Sequence, residues 1–255
     1  MRNFIEAKES DPGLAARYVF MVSRRSHIAA FTLTRGTARQ VRSVKEFHQL
    51  NGASFLRSTD ASYMGAPEYL PLLQLLRLHP GTILNVHYSE LYEAFVEGRG
   101  DVAVTWLNLL PDVQAIAGGR DMHVQAFPFH KAGLNVYGSG IVASQYMINV
   151  RPEVLLRFIV ALREALQAVR RDPGIALRVF QERYPDRDPE RAIEVWNAGK
   201  QLIFGDDDAQ DALGTMDTAT WQATIEHHAR SYGSANFSPC EAFDPTVGSR
   251  TTSEG

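Results

Sequence analysis

The stretch SELYEAFVEGRGDVAVTW, residues 89–106, constrains the fold more than any other part of the chain. Ser89 reads as an N-cap, and Glu90 and Glu93 suit the positive end of a helix. Gly98 is placed to stop that helix. The apolar run from Val102 then reads as a buried strand beginning almost at once. Arg99-Gly100-Asp101 matches an adhesion tripeptide, but it falls between the two elements with no room for a projecting loop. A tight helix-to-strand turn is the reading that fits. A helix delivered so abruptly into a buried strand is the unit from which α/β folds are built.

The rest of the chain repeats that alternation. A short helix over 3–9 closes at Asp11-Pro12-Gly13, and ARYVFMV (16–22) and HIAAFTLT (27–34) read as two buried strands. SVKEFHQL (43–50) reads as a helical turn capped by Ser43, leading into the strand ASFLRST (53–59). The apolar residues that follow suit a helix with a broken or late start, because Pro67 and Pro71 interrupt it. VYGSGIVASQYMI (136–148) reads as a glycine-punctuated strand. Residues 151–171 form an amphipathic helix with Val154, Leu155, Phe158, Ile159, Leu162, Leu166 and Val169 on one face. Asp172-Pro173-Gly174 and Asp188-Pro189-Glu190 each start a further helix by placing proline directly after a cap. A last helix occupies 218–230. The fold class is therefore α/β with a mostly parallel sheet.

Charge and composition exclude several function classes. The 255 residues carry a net charge of −3 with mixed signs, which makes no electrostatic case for nucleic acid or an anionic membrane. The single cysteine, Cys240, cannot build a disulfide framework or a cysteine-rich metal site. It has no basic neighbours to make it a thiolate. No apolar run approaches the roughly 20 residues of a membrane span. The opening MRNFIEAKES lacks the apolar core of a secretory signal. Histidines 27, 48, 79, 87, 123, 130, 227 and 228 are scattered, and Asp206-Asp207-Asp208 reads as a solvated turn. HExxH, Walker, GxGxxG and GxSxG patterns are absent, so no catalytic residue, metal site or cofactor is expected.

What remains is a binding site. In α/β sheets ligands sit beyond the carboxyl ends of strands. Two loops meet that description: Ser58, Thr59, Asp60, Ala61, Ser62 and Tyr63 after ASFLR, and Trp106, Leu107 and Asn108 after DVAVT. The first offers hydroxyls and backbone N–H groups at a helix start, suited to an anion. Simple capping by Asp60 or Ser62 accounts for the same residues. Trp106 is either core or a stacking surface. Tyr137-Gly138-Ser139-Gly140 is either a contact surface or a bulged strand.

The order of these pieces resembles the periplasmic substrate-binding proteins of ABC importers, in the nitrate/sulfonate/taurine and thiamine-pyrimidine-precursor group. The matching segments are YVFMVSRRSHIAAFTL, VRSVKEFHQLNGASF, LYEAFVEGRGDVAVTW, KAGLNVYGSGIVAS and RPEVLLRFIVALREALQAVRRDPGIALRVFQERYP. The resemblance implies a two-lobed, type II periplasmic-binding-protein-like fold with crossover strands at HIAAFTLT and VYGSGIV. Residues 37–136 would form the second lobe. Residues 1–36 and 137–255 would form the first, ending in a disordered tail over 247–255. Against the family layout this first lobe lacks its N-terminal strands and helices, roughly 70 residues by the size of a half-lobe.

The family function carries over as capture of a small polar or anionic molecule (sulfonate, nitrate or pyrimidine-like) and its delivery to a membrane permease from the periplasm. The residues that would make the contacts are Ser58, Thr59, Asp60, Ser62, Tyr63, Trp106, Asn108 and Tyr137, with Trp106 first among them. Two alternatives stay open. One is an enzyme on the same fold, of the pyrimidine-precursor synthase or desulfinase type, which would need a pocket cysteine or a Cys/His cluster, and Cys240 in the tail supplies neither. The other is a ligand-sensing interaction module.

Overall fold

The computed structural model describes residues 1–34, 46, 48–59, 73, 77–205, 213–233 and 237–249. Asp60, Ser62, Tyr63, the helix expected through Pro67 and Pro71, and Asp206-Asp207-Asp208 lie outside the described residues. The chain divides into two compact units. The first is built from Met1–Arg25, Asn135–Ala229 and Ser234–Gly255, and the second from Ser26–Leu134 with Arg230–Gly233.

The second unit is organised by a five-stranded sheet. Its strands are β2 (Ile28–Thr34), β3 (Ser54–Ser58), β4 (Thr82–Val86), β5 (Val102–Trp106) and β6 (His123–Pro128), in the order β4-β3-β5-β2-β6. β3 pairs in parallel with β4 and β5, while β2 runs antiparallel to both β5 and β6. Four strands thus point one way and β2 points against them. Helices α2 (Leu91–Val96) and α3 (Leu110–Gly118) pack on this sheet, α2 on β3 and β5 and α3 on β6. Phe31, Phe55, Leu56, Phe95 and Val113 form the core between them, all without exposed surface.

HIAAFTLT therefore lies wholly inside the second unit, and the boundary falls at Arg25/Ser26 rather than after residue 36. The reason is pairing on both sides. β2 is hydrogen-bonded to β5 from Ile28↔Trp106 to Thr32↔Val102, and to β6 from Ala29↔Pro128 to Thr34↔His123.

The turn at 98–101 is dictated by the core. Gly98 adopts φ +77°, and its N–H donates to Phe95 O at 2.9 Å while that of Arg99 donates to Ala94 O at 3.0 Å. Asp101 Oδ2 accepts the Ser54 N–H at 2.7 Å and the Ser54 hydroxyl at 2.6 Å, which clamps the turn to the start of β3. Gly100 sits directly on Leu56: a Cβ there would lie 2.6 Å from Leu56 Cγ. The tripeptide is a splice between two buried elements, not a projecting tip.

The first unit holds the antiparallel pair β1 (Ala16–Met21) and β7 (Gly140–Ser144). Its helices are α1 (Arg2–Ser10), α4 (Gln145–Val150), α5 (Pro152–Arg171), α6 (Pro173–Arg183), α7 (Pro189–Phe204), α8 (Thr218–Tyr232, of which the residues from Arg230 fall in the second unit), α9 (Pro239–Ala242) and α10 (Pro245–Ser249). A bulge between Tyr18 and Phe20 breaks the two-residue alternation of β1. Tyr18 and Met21 consequently pack with Phe4, Ile5, Tyr137, Trp221 and Phe243, while the adjacent Val19 and Phe20 both pack with Leu155, Ile159 and Val247.

Three expectations are corrected here. The strand expected over 136–148 is a strand only from Gly140 to Ser144, because the Ser144 hydroxyl accepts the Met147 N–H at 3.3 Å and caps α4. The tail expected from residue 247 is helical to Ser249, and Val247 is buried against β1. The apolar face of α5 is split, since Leu155 and Ile159 are buried while Phe158 is 50% exposed. The two Asp-Pro starts hold: Asp172 Oδ1 accepts from Gly174 N–H and Asp188 Oδ1 from Glu190 N–H, each at 2.9 Å.

Candidate functional site

The carboxyl ends of β3, β4, β5 and β6 share one edge of the five-stranded sheet, and the start of β2 joins them there. The topology thereby brings Ser58, Thr59, Trp106 and Asn108 to that edge. Ser58 ends β3 and is buried, while Thr59 just beyond it is exposed. The Thr59 N–H donates to Val86 O at 2.8 Å, and its hydroxyl donates to the same carbonyl at 3.4 Å. The strand end is thus tied to β4, leaving the hydroxyl oxygen's lone pairs as acceptors.

Trp106 is half-buried opposite Ile28 of β2, and the Leu107 N–H donates to His27 O at 2.8 Å. Asn108 is half-buried in the 3-10 turn Leu107–Leu109, which leads into α3 with Pro111 in its first turn. Proline at that position removes an N–H that would otherwise lack an acceptor.

The same edge carries groups the sequence patterns did not single out. Tyr92, on α2, has its hydroxyl 3.1 Å from Thr105 Oγ1 and donates to Tyr88 OH at 3.4 Å. The Tyr88 and Tyr92 rings meet edge to face at 5.9 Å. Thr105 is buried on β5 immediately before Trp106, and because successive strand side chains alternate, these hydroxyls and the indole lie on opposite faces of the strand end. Burial drives the Tyr92 phenol well above its ordinary range, which keeps it a neutral donor and acceptor.

His87, not Ser89, caps the short helical segment. Its Nδ1 lies 2.8 Å from Ser89 Oγ and accepts the Ser89 N–H at 3.4 Å. His27, at the mouth of β2, has Nε2 buried with no hydrogen-bond partner among the described residues, and burial lowers the pKa of its ring. The i, i+4 spacing of Tyr88 and Tyr92 was a readable signal for the tyrosine pair. His27 and Thr105 had none, since only strand pairing brings them there.

Tyr137 belongs to the first unit, and its environment is different. Its hydroxyl donates to Asp217 Oδ2 at 3.0 Å and accepts the Asp217 N–H at 2.8 Å. Its own N–H donates to Thr224 Oγ1 at 3.1 Å, and its ring packs on Trp221 with centroids 5.6 Å apart. Burial pushes the phenol up to about 12. For Asp217 burial acts upward too, but it is outweighed by hydrogen bonds from the Thr220 N–H and hydroxyl and from Tyr137, and by the charge of Arg24. Its pKa is lowered. Asp60, Ser62 and Tyr63 lie outside the described residues.

Among the described residues no cluster of histidine, cysteine, aspartate and glutamate could hold a metal ion, and no helix is long and apolar enough to cross a membrane. Cys240 is exposed on α9 of the first unit, with Sγ 2.9 Å from Ser238 Oγ.

Comparison with solved structures defines the class of fold. The chain is similar to the periplasmic sulfonate-binding protein SsuA of Methylobacillus flagellatus, with 16% identity over 98% of this chain and 73% of that one, at a TM-score of 0.64. It is similar to the periplasmic aliphatic sulphonate binding protein SsuA of Escherichia coli, with 12% identity, 90% and 67% coverage and a TM-score of 0.59. It also resembles the ligand-binding component of an ABC-type import system from Staphylococcus aureus, with 11% identity, 94% and 76% coverage and a TM-score of 0.57. This is the α/β fold of the periplasmic binding proteins. More particularly, residues 78–176 match the NMT1/THI5 like family model, in agreement with the group the sequence resembles. No curated protein matches the chain in sequence.

Proposed function

We propose that this protein is the solute-binding component of an ABC importer, acting in the periplasm and handing a small polar or anionic molecule to a membrane permease. The observation that carries the reading is the carboxyl edge of the five-stranded sheet, where the parallel pairing of β3 with β4 and β5 brings Thr59, Trp106 and Asn108 to the ends of neighbouring strands. An indole face beside neutral hydroxyl and amide groups suits a ligand with a planar or apolar body and an anionic head. Sulfonates lead the candidates, since the structural relatives include sulfonate-binding proteins, with nitrate and pyrimidine-like molecules next. Binding without chemistry is the simpler reading of an edge that presents neutral donors. The synthase or desulfinase alternative gains no support from Cys240, which sits on α9 of the other unit.

A thermal melt against alkyl and aryl sulfonates, nitrate and aminopyrimidines tests this. A ligand at ~100 times its dissociation constant adds about 2.7 kcal/mol to the native state. The expected result is a shift from one ligand class that Trp106→Ala abolishes. A panel in which nothing moves the melt, or a shift that survives Trp106→Ala, refutes the site.

A further inference from the structure

Helices α6 and α7 of the first unit enclose a second concavity, independent of the sheet edge. It has a volume of about 780 Å³, within the range of small-molecule sites. Leu177, Phe180 and Tyr184, spaced along α6 and just past its end, form one wall, and Ile193 and Trp196 of α7 form the other. The Phe180 and Tyr184 rings lie 5.3 Å apart, so that wall is a continuous aromatic surface. Tyr184 is 53% exposed and Ile193 42%, so the apolar lining is open to water. Such a groove offers apolar contact to a molecule whose own chain is apolar.

The charged groups at its mouth are two arginines and two carboxylates, but they are not all engaged. Asp188 is engaged as the cap of α7, and Arg191 Nη1 is held by Glu194 Oε2 at 2.6 Å. Arg187 is left: its backbone N–H donates to Tyr184 O at 3.1 Å, and among the described residues its guanidinium has no partner. The Arg187 guanidinium therefore offers its N–H donors to an acceptor that enters the groove. Trp196 adds a further donor, since its Nε1 is buried and unbonded. The indole ring meets Phe204 edge to face at 5.9 Å.

We infer that this groove binds an amphipathic carboxylate, its apolar chain lying between Phe180 and Trp196 and its carboxylate paired with Arg187. A neutral alcohol of the same length would gain the apolar contacts without the ion pair, and an ammonium would meet Arg187 as a like charge.

Isothermal titration of the intact chain with decanoate, decanol and decyltrimethylammonium below their micellar concentrations tests the inference. The expected result is saturable one-to-one binding of decanoate, weaker binding of decanol and none of the ammonium. Arg187→Gln should weaken decanoate about tenfold, as loss of a charged hydrogen bond does, and leave decanol unchanged. Ile193→Asp should abolish binding of both, with the melting midpoint showing that the chain still folds. Absence of saturable decanoate binding, equal binding of the ammonium, or indifference to Arg187→Gln overturns the inference. So does concentration-dependent self-association lost in Ile193→Asp, which would make a second copy the occupant. Trp106→Ala should leave decanoate binding intact, so failure of this inference and failure of the sheet-edge reading are separately visible.

Discussion

Replacing Gly100 by alanine tests whether the Arg-Gly-Asp turn exists to serve the core. The new Cβ would lie 2.6 Å from Leu56 Cγ, 3.1 Å from Cδ1 and 3.4 Å from Cδ2. The first contact involves a branch carbon close to the backbone, not the far end of a flexible chain. Leu56 has no exposed surface and is paired with Leu84 and Ala103 on either side, so it has nowhere to retreat. Overpacking of this kind costs about 1–3 kcal/mol. Gly98→Ala is the internal contrast: nothing lies within 4 Å of its Cβ, and the penalty comes only from φ +77°. That conformation costs an L-residue about 1–2 kcal/mol.

The two glycines therefore fail for different reasons, and a double-mutant cycle separates them. Leu56→Ala alone costs about 2–5 kcal/mol through the cavity it leaves. Combined with Gly100→Ala it should cost less than the sum by about 1 kcal/mol, because the clash is gone. With Gly98→Ala it should add. The assay is urea unfolding followed by a probe of the second unit. A Gly100→Ala variant as stable as the parent, or one whose cost simply adds to that of Leu56→Ala, would refute the reasoning.

Other expectations rest on the first unit. Gly214→Ala combines φ +82° with a Cβ only 2.1 Å from Phe20 Cε2, and Phe20 is fully buried. It should cost more than either single effect, about 3 kcal/mol or more, and chemical denaturation that finds it neutral would disprove the packing described for β1. Tyr137→Phe leaves the Asp217 N–H without its phenol acceptor and should cost about 1–3 kcal/mol. Asp217 has a depressed folded pKa, so its contribution is present above the unfolded value of about 3.9 and is lost as pH falls through the folded value. Tyr137→Phe removes one of the bonds that depress it, so the acid-unfolding midpoint should move to higher pH. An unmoved midpoint counts against that assignment. Tyr18 and Tyr137 are both pushed up to about 12 by burial. Raised phenols stabilise the fold below about pH 10 and lose that effect as pH rises through the folded values. Absorbance titration should show three phenols, those of Tyr18, Tyr92 and Tyr137, ionising only with alkaline unfolding, and two in Tyr137→Phe; ionisation of all three near pH 10 with the fold intact would contradict their burial.

Elements that stabilise themselves were legible from the chain alone. The Asp-Pro starts of α6 and α7 and the Gly98 stop depend on contacts within a few residues or on conformations few residue types allow. β4 and β6 were not legible. They are the edge strands of their sheet, with burial that follows no two-residue alternation, and they are defined by partners far away, Val86 by Ser58 and His123 by Thr34. The family resemblance was readable from the order of pieces, and the fold agrees with it.

Which candidate residues come together was a tertiary matter. The loops after the second-lobe strands could be named from the general behaviour of α/β sheets, and Ser58, Thr59, Trp106 and Asn108 do share an edge. Tyr137 was named as a contact, but its hydroxyl is engaged by Asp217, eighty positions away. His27 and Thr105 reach the site edge only because β2 inserts antiparallel between β5 and β6. Local patterns report what a residue can do. Strand order and long-range hydrogen bonds decide what it is left free to do, because a buried polar group satisfied from afar is no longer available to a ligand.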